Sequence, residues 1–222
     1  FKKHNFKEII TPIFEDASLF TRSIGESTDI VEKEMYVFED RKGRKLALRP
    51  EGTASIVRAY IEHNFNQTEP TGKFFYSGEM FRYERPQAGR YRQFSQMGAE
   101  YLGNPDPSAD AEIILVASEI LKSLGIKDIK IHLNSLGCAS CRAEFRKKLV
   151  EYFASINDLC QDCLRRLDKN PLRLLDCKID ADKFQNVPTM QDCFCPDCNS
   201  HFEQVQSLLN GAGCKYEINH KL

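Results

Sequence analysis

The stretch FRYERPQAGRYRQFSQMGAE, Phe81 to Glu100, places Arg82, Arg85, Arg90 and Arg92 within eleven residues, threaded among Tyr83, Tyr91 and Phe94. Guanidinium forks match phosphate oxygens in pairs, and an aromatic ring at Phe94 can take the face of a purine, so the residue types suit a nucleotide. Farther along, Gly98 lacks a side chain and leaves room for a small molecule, with the Glu100 carboxylate beside it for a cationic or proton-donating group. Glu51, in the segment RPEGT, offers a second carboxylate able to receive an ammonium group. The competing explanation is a solvated sheet face whose arginines and glutamates pair across strands. Phe94 between polar neighbours and the interruption at Gly98 favour a ligand face.

The elements that position these residues follow from period and punctuation. KFFYSGEMFRYERPQAGRYRQFSQMGAEYLG reads as two strands joined by a polar loop from Pro86 to Gly89. Alternation puts Arg92, Phe94, Gln96, Gly98 and Glu100 on one side of the second strand and Arg82 with Glu84 on one side of the first. Met35 to Phe38 and Leu46 to Leu48 form a hairpin turning near Gly43. FKEIITPIFED reads as a strand stopped by Pro12, and after Glu51 the period becomes helical, with Thr53 as the cap. DPSADAEIILVASEILKSLG is a helix with the stripe Ile113, Val116, Ala117, Ile120, Leu121 and Leu124, opened by Asp and Ser and closed by Gly125. IKIHLN is a further strand, and the first 137 residues are α+β with a mainly antiparallel sheet.

All nine cysteines lie in the second half, at 138, 141, 160, 163, 177, 193, 195, 198 and 214. An odd count with three Cys-x-x-Cys pairs points to reduced thiols or metal ligands rather than a secreted disulfide framework, hence to a reducing compartment. The region 138–213 reads as a small helical insertion, after which CKYEINHKL returns to strand spacing. Cys160, Cys163, Cys195 and Cys198 are the candidate zinc knuckles, with Cys138 and Cys141 as a third pair; from spacing alone, buried free thiols are preferred to zinc. The histidines at 63, 132 and 201 each stand alone without an evident partner. Arg142, Arg146, Lys147, Lys148, Arg165 and Arg166 suit either RNA phosphates or a solvated helix face, the second being preferred.

Across its 222 residues the chain carries 31 Lys and Arg against 32 Asp and Glu, so any nucleic acid must be held by a local patch. No apolar run reaches the ~18 residues of a membrane span, and the chain is read as a soluble protein. It opens on Phe1 rather than Met, as a processed or excised piece would.

FRYERPQAGRYRQF with QMGAE resembles the second signature motif of class II aminoacyl-tRNA synthetases, in the form typical of the bacterial histidyl-tRNA synthetase family. TPIFED resembles the tail of the first motif, LRPEGT the segment receiving the amino acid, and RLDKNPLRLLDCK is similar to the same family. The resemblance implies a class II antiparallel sheet flanked by helices, with 1–137 and 214–222 as an incomplete catalytic core lacking the third motif and the anticodon-binding domain, and 138–213 inserted. It implies activation of histidine by ATP with Mg²⁺, transfer to tRNA(His), a homodimer, and a cytoplasmic location. By position, Arg82 resembles the arginine on the α-phosphate and Glu84 its partner near adenine, the two catalytic candidates. Arg90 resembles the γ-phosphate arginine and Phe94 the ring stacked on adenine. Glu51 and Thr53 resemble the contacts to the histidine amino group. Gln96 and Glu100 resemble the residues lining its pocket, with Arg82 also near the amino acid.

The absence of later motifs implies a truncated fragment with impaired activity. Three rivals stand beside this reading: a non-catalytic regulatory paralogue, a synthetase for another amino acid, and a zinc-dependent interaction module. Intact Arg82, Glu84, Arg90, Gln96 and Glu100 speak against the first, and the Gln96/Glu100 pair against the second. The third leaves the first half unexplained.

Overall fold

The computed structural model describes residues 1–24, 34–68, 70–85 and 87–220. The chain divides into two compact units, Phe1–Pro105 and Asp106–Leu222. The composition shift at Cys138 falls inside the second.

The first unit is built on a ten-residue antiparallel hairpin, β5 (Gly72–Phe81) against β6 (Gln93–Leu102), in register from Gly72↔Leu102 to Phe81↔Gln93. The connecting loop expected from Pro86 to Gly89 is described only from residue 87, so Pro86 lies outside the described residues. Helix α2 (Thr53–Glu62), followed by the single turn α3 (Phe65–Thr68), lays Ile56 and Tyr60 on Phe74, Tyr76 and Met80 of β5, forming one core. A second core joins α1 (Ala17–Ile24), β4 (Lys45–Leu48) and α2 through Ala17, Phe20, Ala47 and Ala54.

The segment before α1 behaves differently from the single strand expected. Lys7–Glu8 (β1) pairs parallel with β5, whereas Phe14–Asp16 (β2) pairs antiparallel with β4. Pro12 therefore marks a handover between two sheets, at a residue with no N–H to give either ladder. The hairpin around Gly43 is present as β3 (Val37–Glu39) and β4. Its turn is fastened by the Asp40 carboxylate, which accepts from Lys42 N at 2.8 Å, Arg44 N at 3.0 Å and Arg44 Nε at 2.6 Å.

In the second unit, α4 (Pro107–Ser123) packs on α7 (Pro196–Gly211), with Phe202, Val205 and Leu209 meeting Ala111, Leu133 and Cys214. Asp106 caps α4, accepting from Ser108 N at 2.8 Å, and Pro107 occupies the first turn. The expected stripe on α4 is only partly inward: Val116 is buried, but Ala117, Leu121 and Leu124 are exposed, while Ala109, Ala111 and Ser118 go inside. Ala111, a small residue, is the one that meets Phe202, Val205 and Leu209 of α7, a demand that hydrophobicity does not register.

Only His132–Leu133 (β7) of IKIHLN is strand, paired parallel with Glu217–Ile218 (β8). The described sheets are thus mixed, antiparallel along the main hairpin and in β2-β4-β3, parallel at β1-β5 and β7-β8. Between them lie α5 (Ala139–Ala154), α6 (Gln161–Lys169) and three short 3-10 turns, whose core is Phe145, Leu149, Phe153 and Leu174 among Cys141, Cys163 and Cys177. No helix among the described residues is long and apolar enough to cross a membrane.

Candidate active site

The long hairpin brings the expected residues onto one face. In the register Met80↔Phe94, Gly78↔Gln96, Tyr76↔Gly98 and Phe74↔Glu100, paired residues share a side of the sheet. This is also the side on which α2 packs.

At one end, Arg82 N donates to Arg92 O at 2.9 Å and Arg82 Nε to Pro50 O at 2.9 Å. Its guanidinium carbon lies 5.2 Å from the centre of the Phe94 ring, within cation–π range. The anchor uses Nε, the donor outside the terminal fork, so Arg82 is oriented without committing the pair of nitrogens that match phosphate. Arg90 Nε stands 3.7 Å from Glu84 Oε2, with the arginine side chain 60% exposed. Arg92 lies 4.0 Å over the Tyr83 ring and Arg85 is exposed.

At the other end, the Thr53 hydroxyl donates to Glu100 Oε1 at 2.7 Å. Thr53 was expected to cap α2; the cap position is Gly52, and Glu51 supplies the carboxylate instead. Glu51 Oε2 accepts from Thr53 N at 2.5 Å and Oε1 from Ala54 N at 3.0 Å, both oxygens meeting the positive end of the helix. Glu100 therefore sits beside a second carboxylate. Burial pushes its pKa up and the charge of Glu51 adds to that, while the Thr53 hydroxyl pulls it down.

The space expected beside Gly98 is taken by the protein itself. A Cβ on Gly98 would come within 2.5 Å of the Tyr76 ring, and one on Gly52 within 2.4 Å, so the ring is clamped between two bare backbones. Gln96 Nε2 donates to the Tyr76 hydroxyl at 3.0 Å. The Tyr76 pKa is raised by burial and by the charges of Glu100 and Glu51. Tyr76 escaped the sequence reading; its signal was its place two residues before Gly78, directly opposite Gly98 in the register.

Arg49 escaped too, although it stands in LRPEGT. It is buried, donating from Nε to Glu79 O at 2.9 Å and from Nη1 to Thr11 O at 2.9 Å and Thr11 Oγ1 at 3.2 Å. The segment before α2 is thereby fastened to β5, and Arg49 O accepts from Phe81 N at 3.0 Å.

Among the described residues the cysteines fall into two groups able to hold a metal, Cys138/Cys141/Cys195/Cys198 and Cys160/Cys163/Cys177/Asp180. The four expected together, Cys160, Cys163, Cys195 and Cys198, are split between them: α5 and α7 carry the partners of the first group and the turn after Leu174 those of the second. The missed signal was a fourth knuckle, Cys177-x-x-Asp180. His201 has a partner after all, with Nε2 2.7 Å from Asp110 Oδ2, and His132 Nδ1 lies 3.9 Å from Glu217 Oε2.

A central antiparallel hairpin backed by the helix that follows RPEGT, with helices on the flanks, is an α+β fold of the class II aminoacyl-tRNA synthetase type. A family model described as histidyl-tRNA synthetase matches residues 1–175. The histidine–tRNA ligase of Endomicrobium trichonymphae is 62% identical over all of this chain and 54% of that relative. Apo histidyl-tRNA synthetase of S. aureus matches with a TM-score of 0.75 at 36% identity, covering 98% of this chain and 49% of that one. An ATP phosphoribosyltransferase regulatory subunit/histidyl-tRNA synthetase from Bacillus halodurans matches at a TM-score of 0.66 and 20% identity, over 100% of this chain and 62% of that one, a likeness of fold alone. The chain belongs to the histidyl-tRNA synthetase family. It spans about half the length of the curated relatives it matches.

Proposed function

We propose that this chain forms the histidine- and ATP-binding part of a histidine–tRNA ligase, in which the histidine carboxylate attacks the α-phosphorus of ATP and the resulting adenylate acylates tRNA(His). The observation that carries this is the two-ended hairpin face: Arg82 stacked on Phe94 at one end, Glu100 with Thr53 and Glu51 at the other. Phe94 and Glu100 are six residues apart, about 20 Å along an extended strand, so purine and amino acid lie at opposite ends with the reacting phosphorus between them.

Each residue has a role that its geometry supports. Phe94 offers the adenine its ring, and Glu84, 3.7 Å from Arg90, is assigned the place near it. Arg82, held by Pro50 O, directs its fork at the α-phosphate and stabilises charge as pyrophosphate departs. Arg90 exchanges its long contact with Glu84 for the γ-phosphate, and Mg²⁺ enters with ATP as part of the substrate. Glu51, fixed by two backbone N–H groups, keeps further lone pairs for the substrate ammonium, with Thr53 beside it. Glu100 accepts from the imidazole N–H. Gln96 holds the Tyr76 hydroxyl in the wall of the amino-acid pocket. An analogue without the imidazole donor leaves the half-buried Glu100 with the Thr53 hydroxyl on Oε1 but without the donor that its remaining lone pairs would meet, which is the basis of selectivity.

Residues 1–137 and 214–222 are assigned to the catalytic core and 138–213 to an insertion; support comes from β7 and β8, which pair across that segment. A homodimer in the cytoplasm is part of the same proposal. The homodimer is supported by the face on which Phe14, Leu48, Leu46 and Phe38 line up across β2, β4 and β3, with Asp16 opposite Leu46 and with Phe14 and Phe38 half exposed.

The test is histidine-dependent ATP–pyrophosphate exchange, run on this chain and on the chain completed with the parts of the Endomicrobium relative that it does not match. Exchange by the completed chain with histidine and with no other amino acid is expected. A folded, completed chain that exchanges nothing overturns the proposal in favour of a regulatory paralogue.

A further inference from the structure

We propose that the second unit holds two structural zinc ions, one in a four-thiolate site of Cys138, Cys141, Cys195 and Cys198, the other in a three-thiolate, one-carboxylate site of Cys160, Cys163, Cys177 and Asp180. In each group the four ligand atoms lie within 4.8 Å of one another. Zinc–sulfur bonds of ~2.3 Å at tetrahedral angles place sulfurs about 3.8 Å apart. Cys138 Sγ and Cys141 Sγ are separated by 3.5 Å, and Cys160 Sγ and Cys177 Sγ by 3.8 Å. None of these cysteines is in a disulfide, whose sulfurs would lie ~2.05 Å apart.

The surroundings are built for bound thiolates. In the first site each knuckle reaches the other: Cys138 N lies 3.2 Å from Cys198 Sγ, and Cys195 N lies 3.1 Å from Cys141 Sγ. Such reciprocal N–H donors orient sulfur ligands and offset their charge. Cys138, Cys160 and Cys195 are the N-cap residues of α5, α6 and α7, so three knuckles open on the positive ends of helices.

The second site contains a carboxylate with no exposed surface. Asp180 Oδ2 accepts from Cys160 N at 2.9 Å and lies 3.9 Å from Cys177 Sγ, while Lys183 Nζ donates to Oδ1 at 3.0 Å. Lys183 pairs with Oδ1 alone, which leaves Oδ2 turned toward the sulfurs as the fourth ligand atom of the group.

Both sites have four protein ligands and no open position, which marks them as structural. The first joins the start of α5 to the start of α7, and the second ties α6 to the turn holding Cys177 and Asp180. The segment between α6 and α7 is made of short 3-10 turns around a small core, the setting in which a metal staple adds most to stability. On binding, each thiol still protonated gives its proton to solvent while zinc takes the sulfur lone pair; no oxidation occurs. Cys193 and Cys214 belong to neither group.

The test is zinc content of the whole reduced chain after equilibration with chelator-buffered zinc, with sulfur and oxygen ligation read by X-ray absorption. Two zinc per chain and a mean of 3.5 sulfur ligands per metal are expected, from four in one site and three in the other. Cys195→Ser with Cys198→Ser should remove one equivalent and leave a mean of three sulfurs. Asp180→Cys should keep two zinc and raise the mean to four, a readout that survives if deletion variants fail to fold. No zinc with all nine thiols reactive overturns both sites. One zinc, with ligation unmoved by Asp180→Cys, overturns the second.

Discussion

The hairpin face of the first unit and the sulfur clusters of the second solve opposite problems. On the hairpin, polar groups are held by the fold but left able to engage something else: Arg82 is anchored through Nε alone, and Glu100 stays half buried beside Glu51. In the clusters, donors and acceptors converge on points inside the unit, with backbone N–H groups aimed at sulfur and Asp180 enclosed. The first arrangement accepts some instability so that a ligand can relieve it; the second closes on itself. Function is to be sought in the former and cohesion in the latter.

The largest effect that would sharpen this contrast is metal removal. Chelation of the reduced chain should abolish amide protection around α5, α6 and α7 while β5 and β6 keep theirs, as read by hydrogen exchange; equal loss in both units would break the distinction. Next comes Arg82→Ala, expected to lower histidine-dependent exchange on the order of 10²–10³-fold, the usual cost of one transition-state donor, with zinc content unchanged. A smaller effect, on folding, is expected for Gly98→Ala: its Cβ would meet the Tyr76 ring at 2.5 Å, costing ~1–3 kcal/mol in denaturant unfolding, as overpacking does.

The smallest effect concerns pH. The folded-state pKa of Glu100 is raised, chiefly by burial and then by Glu51. Its contribution to stability is therefore fully present below the unfolded value of ~4.3 and lost as pH rises through the folded value. Glu100→Gln should match the parent protein in acid and melt slightly higher at neutral pH. A melting point that falls at neutral pH would show that Glu100 is there for the fold rather than for a ligand.

The sequence was most informative where pairing is regular. Period-2 alternation from Arg92 to Glu100 put Phe94, Gln96, Gly98 and Glu100 on one face, and the ladder keeps them there. It could not show that Tyr76, from the opposite strand, fills the gap at Gly98, because that depends on register across the hairpin. Pro12 read as a stop because its missing N–H is local information, whereas the exchange of sheet partners on either side of it is not. The cap position fell to Gly52 rather than Thr53, and the two carboxylate oxygens of Glu51 meet two N–H groups of the first turn, freeing the Thr53 hydroxyl for Glu100. The cysteine knuckles were visible as spacings, but which knuckle faces which is a tertiary fact, and Asp180 was hidden by being the one ligand that is not a cysteine.

The two-ended face is tested most directly by equilibrium titration of histidine and of ATP into the completed chain, its Arg82→Ala and Glu100→Gln variants, and the double variant. Glu100→Gln should weaken histidine at least tenfold and leave ATP unchanged, the size expected when a hydrogen bond loses its charged acceptor at ~1.5–3 kcal/mol, with Arg82→Ala acting mainly on ATP. Equal losses of both ligands in both variants would contradict the separation of the purine and amino-acid ends.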